Sequence, residues 1–572
     1  MNIRPVLLGL ILLLLPFSAA LQAREAQAPV PPRQAAIASA NAYATAAGLE
    51  VLAQGGNAFD AAVAVSATLG LVEPESSGIG GGGLMLLHLA DGDRDVFVDA
   101  RERAPLAATR DMYLDASGQV RPKSSIDGPL AAAIPGLPAG LAHLSEKYGR
   151  VPLSVSLAPA IRLARKGWVM NAKPAQVLPW RSEVLAQSPG ARELFLRTGK
   201  PVEAGQVLKN PDYARTLERL ARDGREGFYA GSLARRLVDG VRGAGGIWTL
   251  EDLAQYRAVE REPLRFSHRG FQLVTAPPPS SGGVALAEIL NVLSGYDYPA
   301  MAQGERTHLV VEAMRRAYRD RAQFLGDPDF VDVPLARMMS LDFAAGLRAS
   351  IHPHQATPSS LLPPVGPARE RPDTTHFSII DTEGNLAAVT QTVNLTFGNA
   401  FAVPGTGFVL NNEMDDFSAA PGVPNAFGLI GDEANEIAPG KRPLSSMTPT
   451  FLSDGERTAA IGTPGGSRII TMVLLGLMDL MDGGGAQAAA DRPRYHHQYV
   501  PDAILAEPGA LPGDVVAQRE SMGHTVKIAD STWGAVMLVV SAVIAGYVSF
   551  RYRDIAYAAV IIWAFVGIIA RW

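Results

Sequence analysis

The chain of 572 residues contains no cysteine. It therefore cannot form a disulfide, a thiolate zinc site or an iron–sulfur cluster, and it cannot use a cysteine nucleophile. Charge is also scarce, because 51 basic and 56 acidic residues leave a net charge of −5. A small negative net charge over 572 residues argues against a nucleic-acid binder, which needs a concentrated positive field. With 47% apolar residues the chain can bury a large core, and its chemistry must depend on oxygen and nitrogen groups.

Several common catalytic motifs are missing as well. No G-x-S-x-G elbow, H-E-x-x-H pair or Walker A loop occurs in the sequence. This removes the commonest hydrolase, zincin and NTPase interpretations. The ten histidines show no metal-ligand spacing, and the adjacent His496 and His497 are predicted to be structural.

A glycine-rich run near the N-terminal third imitates a dinucleotide site. Gly78, Gly80 and Gly83 match the pattern G-x-G-x-x-G, and Asp99 follows downstream. The residues after the glycines predict a strand, a turn and a second strand, so there is no helix N-terminus to receive a pyrophosphate. The run is instead predicted to be backbone that packs closely against another layer or a substrate.

The N-terminus has the layout of a secretory signal peptide. One basic residue is followed by an apolar run over 5–17 and then by small residues, which predicts cleavage after Ala20 or Ala23. The alternative is an uncleaved membrane anchor. Either way the body is expected to be exported, to the periplasm or outside the cell.

The C-terminus contains two uncharged apolar segments, 534–550 and 555–570, joined by a short loop that carries Arg551 and Arg553. One interpretation of 534–571 is a membrane hairpin that tethers the exported body, with the arginine loop on the cytoplasmic side. Each segment is short for a membrane span. The alternative is that the first segment begins with a strand of the folded body.

Between residues 35 and 530 the apolar pattern alternates between helical and strand-like spacing, which predicts a mixed α and β body. The stretch 373–467 holds the candidate chemistry. It opens with a predicted β-hairpin, whose strands end near Ile380 and begin near Leu386. Threonine is common in strands, so the threonines of this hairpin indicate no function by themselves.

Longer motifs stand in order along the chain. They are GGNAFDAA at 55–62, EP at 73–74, SGIGGG at 77–82, RE at 101–102, AP at 104–105, NNEMDDFS at 411–418, PGVPN at 421–425, KRPLSSM at 441–447 and GGSR at 465–468. Together they strongly resemble the γ-glutamyltransferase family, from about residue 35 to about residue 540.

The resemblance implies an N-terminal nucleophile hydrolase, an α+β protein with a four-layer αββα sandwich, which is made as one inactive chain and cleaves itself. It places the cut between Asp373 and Thr374, giving a large subunit of 24–373 and a small subunit of 374–572. A threonine hydroxyl is a poor nucleophile, but a free α-amine with a pKa of about 7.7 to 8.0 can act as its general base. Cleavage would therefore create the base.

The resemblance also implies roles for four catalytic residues. Thr374 would attack the γ-carbonyl group of the donor and form a γ-glutamyl ester, and Thr392 on the paired strand would tune this nucleophile. Gly465 and Gly466 precede a segment with helical apolar spacing, 469–481. Their backbone N–H groups would stabilise the oxyanion.

Six further residues are implied to bind the substrate. Arg101 would hold the α-carboxylate as a planar bidentate donor, together with the hydroxyls of Ser445 and Ser446. The α-ammonium group would be held by Asn394, Glu413 and Asp416. Because both charges are recognised, a free γ-linked glutamyl group is favoured over an internal peptide residue.

Two features depart from the family pattern. Phe427 lies in the lid segment 421–440, where a tyrosine often bonds to the asparagine equivalent to Asn394, so a looser lid is expected. At the C-terminus, the family usually has a further hairpin that carries an Asp-Pro-Arg element. Here that hairpin is missing, and hydrophobic sequence takes its place.

The predicted function is an exported, self-processing γ-glutamyltransferase that hydrolyses glutathione or other γ-glutamyl compounds, or transfers the γ-glutamyl group to amino acids and peptides. No metal or organic cofactor is implied. One alternative is a related acylase acting on glutaryl or cephalosporin side chains, which would not need the ammonium-binding residues. The other is an unprocessed, non-catalytic exported homologue.

Overall fold

The computed structural model describes residues 34–361 and 374–529, together with the backbone of Val539–Ile544. The predicted signal peptide (1–23), Asp373 and the rest of the two apolar C-terminal segments lie outside the described residues.

The described residues contain seventeen α-helices. They are α1 (Ala42–Ala53), α2 (Ala58–Val72), α3 (Leu137–Tyr148), α4 (Leu153–Lys166), α5 (Ala172–Leu185), α6 (Pro189–Phe195), α7 (Pro211–Asp223), α8 (Glu226–Tyr229), α9 (Gly231–Gly243), α10 (Leu250–Gln255), α11 (Gly282–Leu293), α12 (Gln303–Phe324), α13 (Leu335–Met338), α14 (Leu341–Ala349), α15 (Ile469–Met481), α16 (Ala486–Asp491) and α17 (Gly513–Ser521).

The same residues contain eighteen strands. They are β1 (Ala36–Ala38), β2 (Gly82–Leu89), β3 (Arg94–Ala100), β4 (Trp168–Val169), β5 (Leu196–Arg197), β6 (Lys200–Pro201), β7 (Val207–Leu208), β8 (Val259–Arg261), β9 (Leu264–His268), β10 (Phe271–Thr275), β11 (Thr375–Ile380), β12 (Leu386–Thr392), β13 (Thr450–Ser453), β14 (Arg457–Gly462), β15 (Tyr495–His496), β16 (Ile504–Ala506), β17 (Val526–Ile528) and β18 (Val539–Ile544).

Two antiparallel sheets form the centre of the molecule. The first has six strands in the order β1-β11-β12-β2-β3-β8, and the second has five in the order β18-β14-β13-β10-β9. The predicted hairpin is confirmed as β11 and β12, with Thr375 opposite Gln391. Because β1 and β2 flank this hairpin, the predicted large and small subunits share one continuous sheet.

The unbroken apolar run in β2 is explained by a sheet that is buried on both faces. Met85 and Leu87 lie in a core shared with α2 and α3, whereas Leu84 and Leu86 lie in a core shared with the second sheet and with α11, α12 and α15. Successive side chains of a strand point to opposite faces, so each face needs its own apolar set. Helices α2 and α3 therefore pack on one face of the first sheet, while its other face shares a core with the second sheet.

The motif GGNAFDAA builds the start of the buried helix α2. The side chain of Asn57 accepts hydrogen bonds from the N–H groups of Phe59 and Asp60, and the Asp60 carboxylate accepts one from the N–H of Asn57. The N–H of Ala58 donates to the carboxylate of Asp381, in the turn between β11 and β12, at 3.0 Å. This capping box and the acceptor from the hairpin satisfy the free N–H groups of the first turn. The motif thus connects the β11–β12 hairpin to helix α2.

The glycine run at 78–83 behaves as predicted. It leads into β2, a turn and β3, so the strand-turn-strand interpretation is confirmed. A Cβ atom on Gly80 would lie 2.0 Å from the carbonyl oxygen of Val409, and one on Gly81 would lie 2.0 Å from that of Thr392. Only glycine allows this close approach of backbones.

The C-terminal strand β18 pairs antiparallel with β14, from Arg457 opposite Ile544 to Gly462 opposite Val539. Part of the first apolar segment is therefore a sheet strand, as in the second interpretation of that segment, and the strand lies at the edge of its sheet. Within the residues that the structure describes, no helix is both long and apolar enough to cross a membrane.

Two buried acids face each other between α11 and α12. Glu288 and Asp320 are both fully buried, and both carboxylate oxygens of Glu288 lack an ordinary hydrogen-bond donor. Burial and the neighbouring Asp320 raise the pKa of Glu288 well above its usual value. Burial also raises the pKa of Asp320, although Arg319 opposes this. The two carboxyl groups are therefore expected to share a proton.

The substitution Glu288→Gln is expected to stabilise the protein at alkaline pH. Because the pKa of Glu288 is higher in the folded state, the native protein binds more protons, and its stability falls as the pH rises above the unfolded value of 4.5. The glutamine variant escapes this loss and can donate an amide N–H to Asp320. Its free energy of unfolding should exceed the wild-type value by at least about 1 kcal/mol at pH 8, and by less at pH 5. An equal difference at both pH values, measured by urea unfolding, would contradict the shared proton.

Candidate active site

The candidate nucleophile lies at one end of the β11–β12 hairpin in the first sheet. Thr374 immediately precedes β11, and Thr392 ends the neighbouring strand β12. Their hydroxyl oxygens lie 3.2 Å apart, and both residues are buried. The Thr392 hydroxyl oxygen also accepts the backbone N–H of Asn394 at 2.8 Å. A hydroxyl oxygen has two lone pairs, so Thr392 can accept this N–H and still exchange a hydrogen bond with Thr374, in which either oxygen could be the donor.

The substitution Gly81→Ala is expected to disturb this pair without touching either hydroxyl. The added Cβ would lie 2.0 Å from the carbonyl oxygen of Thr392, so one of the two backbones must move. We expect self-cleavage to slow by at least about tenfold, because a shift on the order of 1 Å in a reacting group is costly. Gly346→Ala is the matched control, because nothing lies within 4 Å of a Cβ at that position in α14. Equal cleavage rates for the two variants, measured by gel electrophoresis, would contradict the expected displacement.

A small, half-open cleft lies in front of Thr374. It brings together nine of the ten described residues with predicted roles, and Gly465 adjoins it next to Gly466. The nine are Arg101, Thr374, Thr392, Asn394, Glu413, Asp416, Ser445, Ser446 and Gly466. Four apolar residues complete the lining: Phe427 of the lid segment, and Leu429, Met447 and Ile469, which had no predicted role.

Arg101 is held by the two acids that were predicted to bind the ammonium group. Its Nη1 donates to Glu413, its Nη2 donates to Asp416 Oδ2 at 2.5 Å, and its Nε donates to the carbonyl of Pro443 at 3.1 Å. Both acids lie on or beside the short 3₁₀ turn Glu413–Asp416. The guanidinium is fully buried, so these partners are needed to offset its desolvation.

The acids around Arg101 outnumber it. Glu102 lies 3.6 Å from Arg101 Nη1, and burial raises its pKa to about 7 despite that charge. Burial raises the pKa of Glu413 and of Asp416 as well, with Arg101 opposing both shifts. A second cation brought into the cleft would therefore meet acids that a single arginine does not fully neutralise.

The glycine pair lies directly before a helix, as predicted. Gly466–Arg468 forms a 3₁₀ turn that continues into α15. Gly465 and Gly466 have φ values of +138° and +55°, which side chains disfavour. Gly466 lines the cleft, and a helix start favours negative charge because its first N–H groups have no partner within the helix.

The lid is attached to the acidic turn by Asn425 and Ala426. The Asn425 side-chain amide donates to Asp416 Oδ1 at 3.2 Å, and the N–H of Ala426 donates to Asp415 at 2.9 Å. The backbone carbonyl of Phe427 accepts from Gln498 at 3.2 Å, while its ring lines the cleft. Whether the lid is looser than in relatives with tyrosine remains a prediction.

Two polar residues behind the cleft have no signal in the sequence. Arg321 of α12 donates from Nε to the Ser281 hydroxyl at 3.0 Å and from Nη2 to the Ser446 hydroxyl at 3.4 Å. Ser281 in turn donates to the carbonyl of Ser445 at 2.7 Å. More than a hundred residues separate Arg321 from Ser446, so periodicity and motif spacing do not connect them.

A buried histidine cluster also escaped the sequence interpretation. His308 and His524 lie 2.8 Å apart through Nδ1 and Nε2, and Glu312 is close enough for the three to hold a metal ion. Glu312 already pairs with Arg315 and Arg316, whose positive charges disfavour a cation there.

His496 and His497 are fully buried, and burial lowers the pKa of each, to about 3 and about 4.

Known proteins match most of the length of the chain. The family described as "Gamma-glutamyltranspeptidase" matches residues 44–546. The glutathione hydrolase proenzyme of Pseudomonas sp. (strain A14) is 45% identical over 506 residues, which cover 87% of each chain. That of Escherichia coli (strain K12) is 42% identical over 515 residues, which cover 87% of this chain and 89% of the relative.

The fold is shared with a solved acylase. The crystal structure of cephalosporin acylase from Bacillus halodurans has a TM-score of 0.77 at 27% identity, and the match covers 92% of this chain and 96% of that chain. The matched residues, 44–546, span most of the sequence and include the hairpin, the acidic turn and the glycine pair at the cleft. The chain belongs to the γ-glutamyltranspeptidase family.

Proposed function

We propose that this protein is a self-processing γ-glutamyltransferase and glutathione hydrolase. The observation that carries the proposal is the Thr374–Thr392 hydroxyl pair, 3.2 Å apart, in a cleft that also holds Arg101 and its two acids. In this proposal the layers of helix, sheet, sheet and helix form an αββα N-terminal nucleophile hydrolase, built from subunits 24–373 and 374–572.

Cleavage would occur at the bond between Asp373 and Thr374. The Thr374 hydroxyl attacks the carbonyl carbon of Asp373, the amide nitrogen leaves as a free α-amine, and water then hydrolyses the ester that joins the two residues. The hydroxyl is restored and the α-amine remains beside it. Because Thr374 directly precedes β11, the new N-terminus stays fixed in the sheet.

The same hydroxyl would then attack the donor. The α-amine accepts the hydroxyl proton, the oxygen bonds to the γ-carbonyl carbon, and the leaving amine takes the proton as its C–N bond breaks. The N–H groups of Gly465 and Gly466 stabilise the oxyanion of the intermediate. Water or the amino group of an acceptor then releases the γ-glutamyl group and regenerates Thr374.

Recognition of the glutamyl head group would work by exchange of charged partners. In the structure, Arg101 pairs with both Glu413 and Asp416. A donor with a free α-amino acid end carries one ammonium and one carboxylate group, so the ammonium can take over the acids while the carboxylate takes over Arg101. Each buried charge keeps a partner, which avoids the cost of an unpaired ion. Ser445, Ser446 and Asn394 supply further polar contacts at the same cleft.

The acylase alternative is separated by the same acids. A glutaryl donor lacks the ammonium group, so its carboxylate would draw Arg101 away and leave Glu413 and Asp416 without a cation. We therefore expect much faster cleavage of a γ-glutamyl anilide than of the matching glutaryl anilide. Faster release from the glutaryl compound would support the acylase instead.

Processing and activity can be tested on the purified protein. On a denaturing gel we expect two bands of 350 and 199 residues, from Arg24–Asp373 and Thr374–Trp572. The processed protein should release the chromophore from a γ-glutamyl anilide, and a dipeptide acceptor should raise the rate. A single inactive chain would support the unprocessed, non-catalytic alternative.

Export is part of the proposal and rests on the first 23 residues. The mature protein from a periplasmic or extracellular fraction is expected to begin at Leu21 or Arg24. A protein that keeps Met1 and stays in the cytoplasm would contradict export.

A further inference from the structure

Arg321 is a buried cation whose role the reaction described above does not explain. It is 4% exposed, and among the described residues it forms no ion pair with a carboxylate within 4.0 Å. Its guanidinium donates hydrogen bonds to the hydroxyls of Ser281 and Ser446. A buried guanidinium without a carboxylate is costly, so such an arrangement needs a reason.

Two other buried arginines of α12 are each paired with an acid of the same helix. Arg315 and Arg316 both pair with Glu312, three and four residues earlier on the same helix. In the cleft, Arg101 pairs with two acids. Arg321 is different, because it points its guanidinium at two neutral hydroxyls. The negative charge of Asp416 acts on Arg321 from a distance, but Asp416 is paired with Arg101, so an anion from outside the chain would be the first to contact Arg321 directly.

The hydrogen bonds of Arg321 lead to the cleft wall. The Ser446 hydroxyl oxygen accepts from Arg321 Nη2, which leaves the Ser446 proton free to donate to a ligand. The Ser281 hydroxyl accepts from Nε and donates to the carbonyl of Ser445, and the N–H of Ser281 donates to the same carbonyl at 2.8 Å. Arg321 therefore holds the hydroxyls of Ser281 and Ser446, and Ser446 lines the cleft.

We propose that Arg321 is a positioning and specificity residue for the α-carboxylate of the donor, acting through the hydroxyl of Ser446. This rests on the proposed function, which assigns Ser445 and Ser446 to that carboxylate. Burial lowers the pKa of Arg321 to about 10, so it remains charged at neutral pH. Its charge polarises the Ser446 hydroxyl and attracts the carboxylate, which Arg101 binds directly.

The consequence is a preference among donors. A donor that lacks the α-carboxylate leaves Arg321 with only the more distant charge of Asp416, whereas a γ-glutamyl donor brings a second anion to the cleft wall. A site with a buried polar group rejects ligands that fail to satisfy it. The pair to compare is a γ-glutamyl anilide and a 4-aminobutyryl anilide, which is the same donor without its α-carboxylate.

The test uses the processed enzyme with Arg321→Gln and Arg321→Lys. For Arg321→Gln we expect normal two-band processing, a KM for the γ-glutamyl anilide raised by roughly tenfold, and a kcat within about threefold of wild type. The kcat/KM for the 4-aminobutyryl anilide should stay nearly unchanged. Arg321→Lys keeps the charge and should recover most of the preference. Arg306→Gln is the control, because Arg306 lies on the same helix but pairs with Asp482 near the surface.

The outcomes separate the inference from the proposed function. If wild type does not cleave the γ-glutamyl anilide, the proposed function itself fails. If wild type is active but Arg321→Gln loses both donors equally or keeps its KM, Arg321 has only a structural role and the inference is wrong. If the glutamine variant does not process, Arg321→Lys decides: a preference close to wild type supports the inference, and a lost preference overturns it.

Discussion

Thr374→Ala is expected to remain a single chain and to have no γ-glutamyltransferase activity. The hydroxyl that attacks the peptide bond before it is lost, so neither the cut nor the free α-amine is made. The later nucleophile is lost with it, so activity should fall by more than about a thousandfold. The fold should persist, because Thr374 lies outside β11 and its side chain contacts the hydroxyl of Thr392 at the cleft. A denaturing gel and an anilide assay measure the two effects together.

Thr374→Ser is the matched control for this result. Serine keeps a hydroxyl and, after cleavage, an α-amine, so both reactions should continue at a reduced rate. Two normal bands from Thr374→Ala would mean that another residue cleaves the chain. A processed but inactive serine variant would point instead to the threonine methyl group as the feature that orients the hydroxyl.

Local features of the site were predictable from the sequence. The hairpin β11–β12 and the helix after Gly465 and Gly466 follow from apolar spacing over short segments. The false dinucleotide motif was recognised because two strands, not a helix, follow its glycines. The sequence predicted close backbone packing at these glycines but not the packing partner. The carbonyl oxygen that a Cβ at Gly81 would meet belongs to Thr392, over 300 residues away.

Contacts between distant segments were beyond the sequence. The ion pairs of Arg101 with Glu413 and Asp416 join residues more than 300 positions apart, and the resemblance had assigned the three to two different substrate charges. The position of Arg321 behind Ser446 depends on how α12 packs near the cleft. Long-range packing of this kind decides which charges are paired, and no periodicity records it.

This pairing changes the expected effect of Arg101→Lys. From the sequence, the substitution should raise the KM for the donor far more than it affects folding. In the structure, however, the two Nη atoms reach two separate acids, and a lysine ammonium cannot replace a planar fork at both. We expect the KM to rise by a factor corresponding to about 2 kcal/mol and the free energy of unfolding to fall by a similar amount, about 2 kcal/mol.

The double variant Arg101→Lys with Glu413→Gln separates the two effects. Removing the acid that lost its partner should restore much of the stability, because a neutral amide is cheaper to bury than an unpaired carboxylate. It should not restore the KM, because the substrate carboxylate still meets a point charge instead of a bidentate donor. Urea unfolding and donor kinetics on the single and double variants form the test. An unchanged KM in Arg101→Lys would show that the α-carboxylate is held elsewhere, with Arg321 and Ser446 as the remaining cation and hydroxyl at that wall of the cleft.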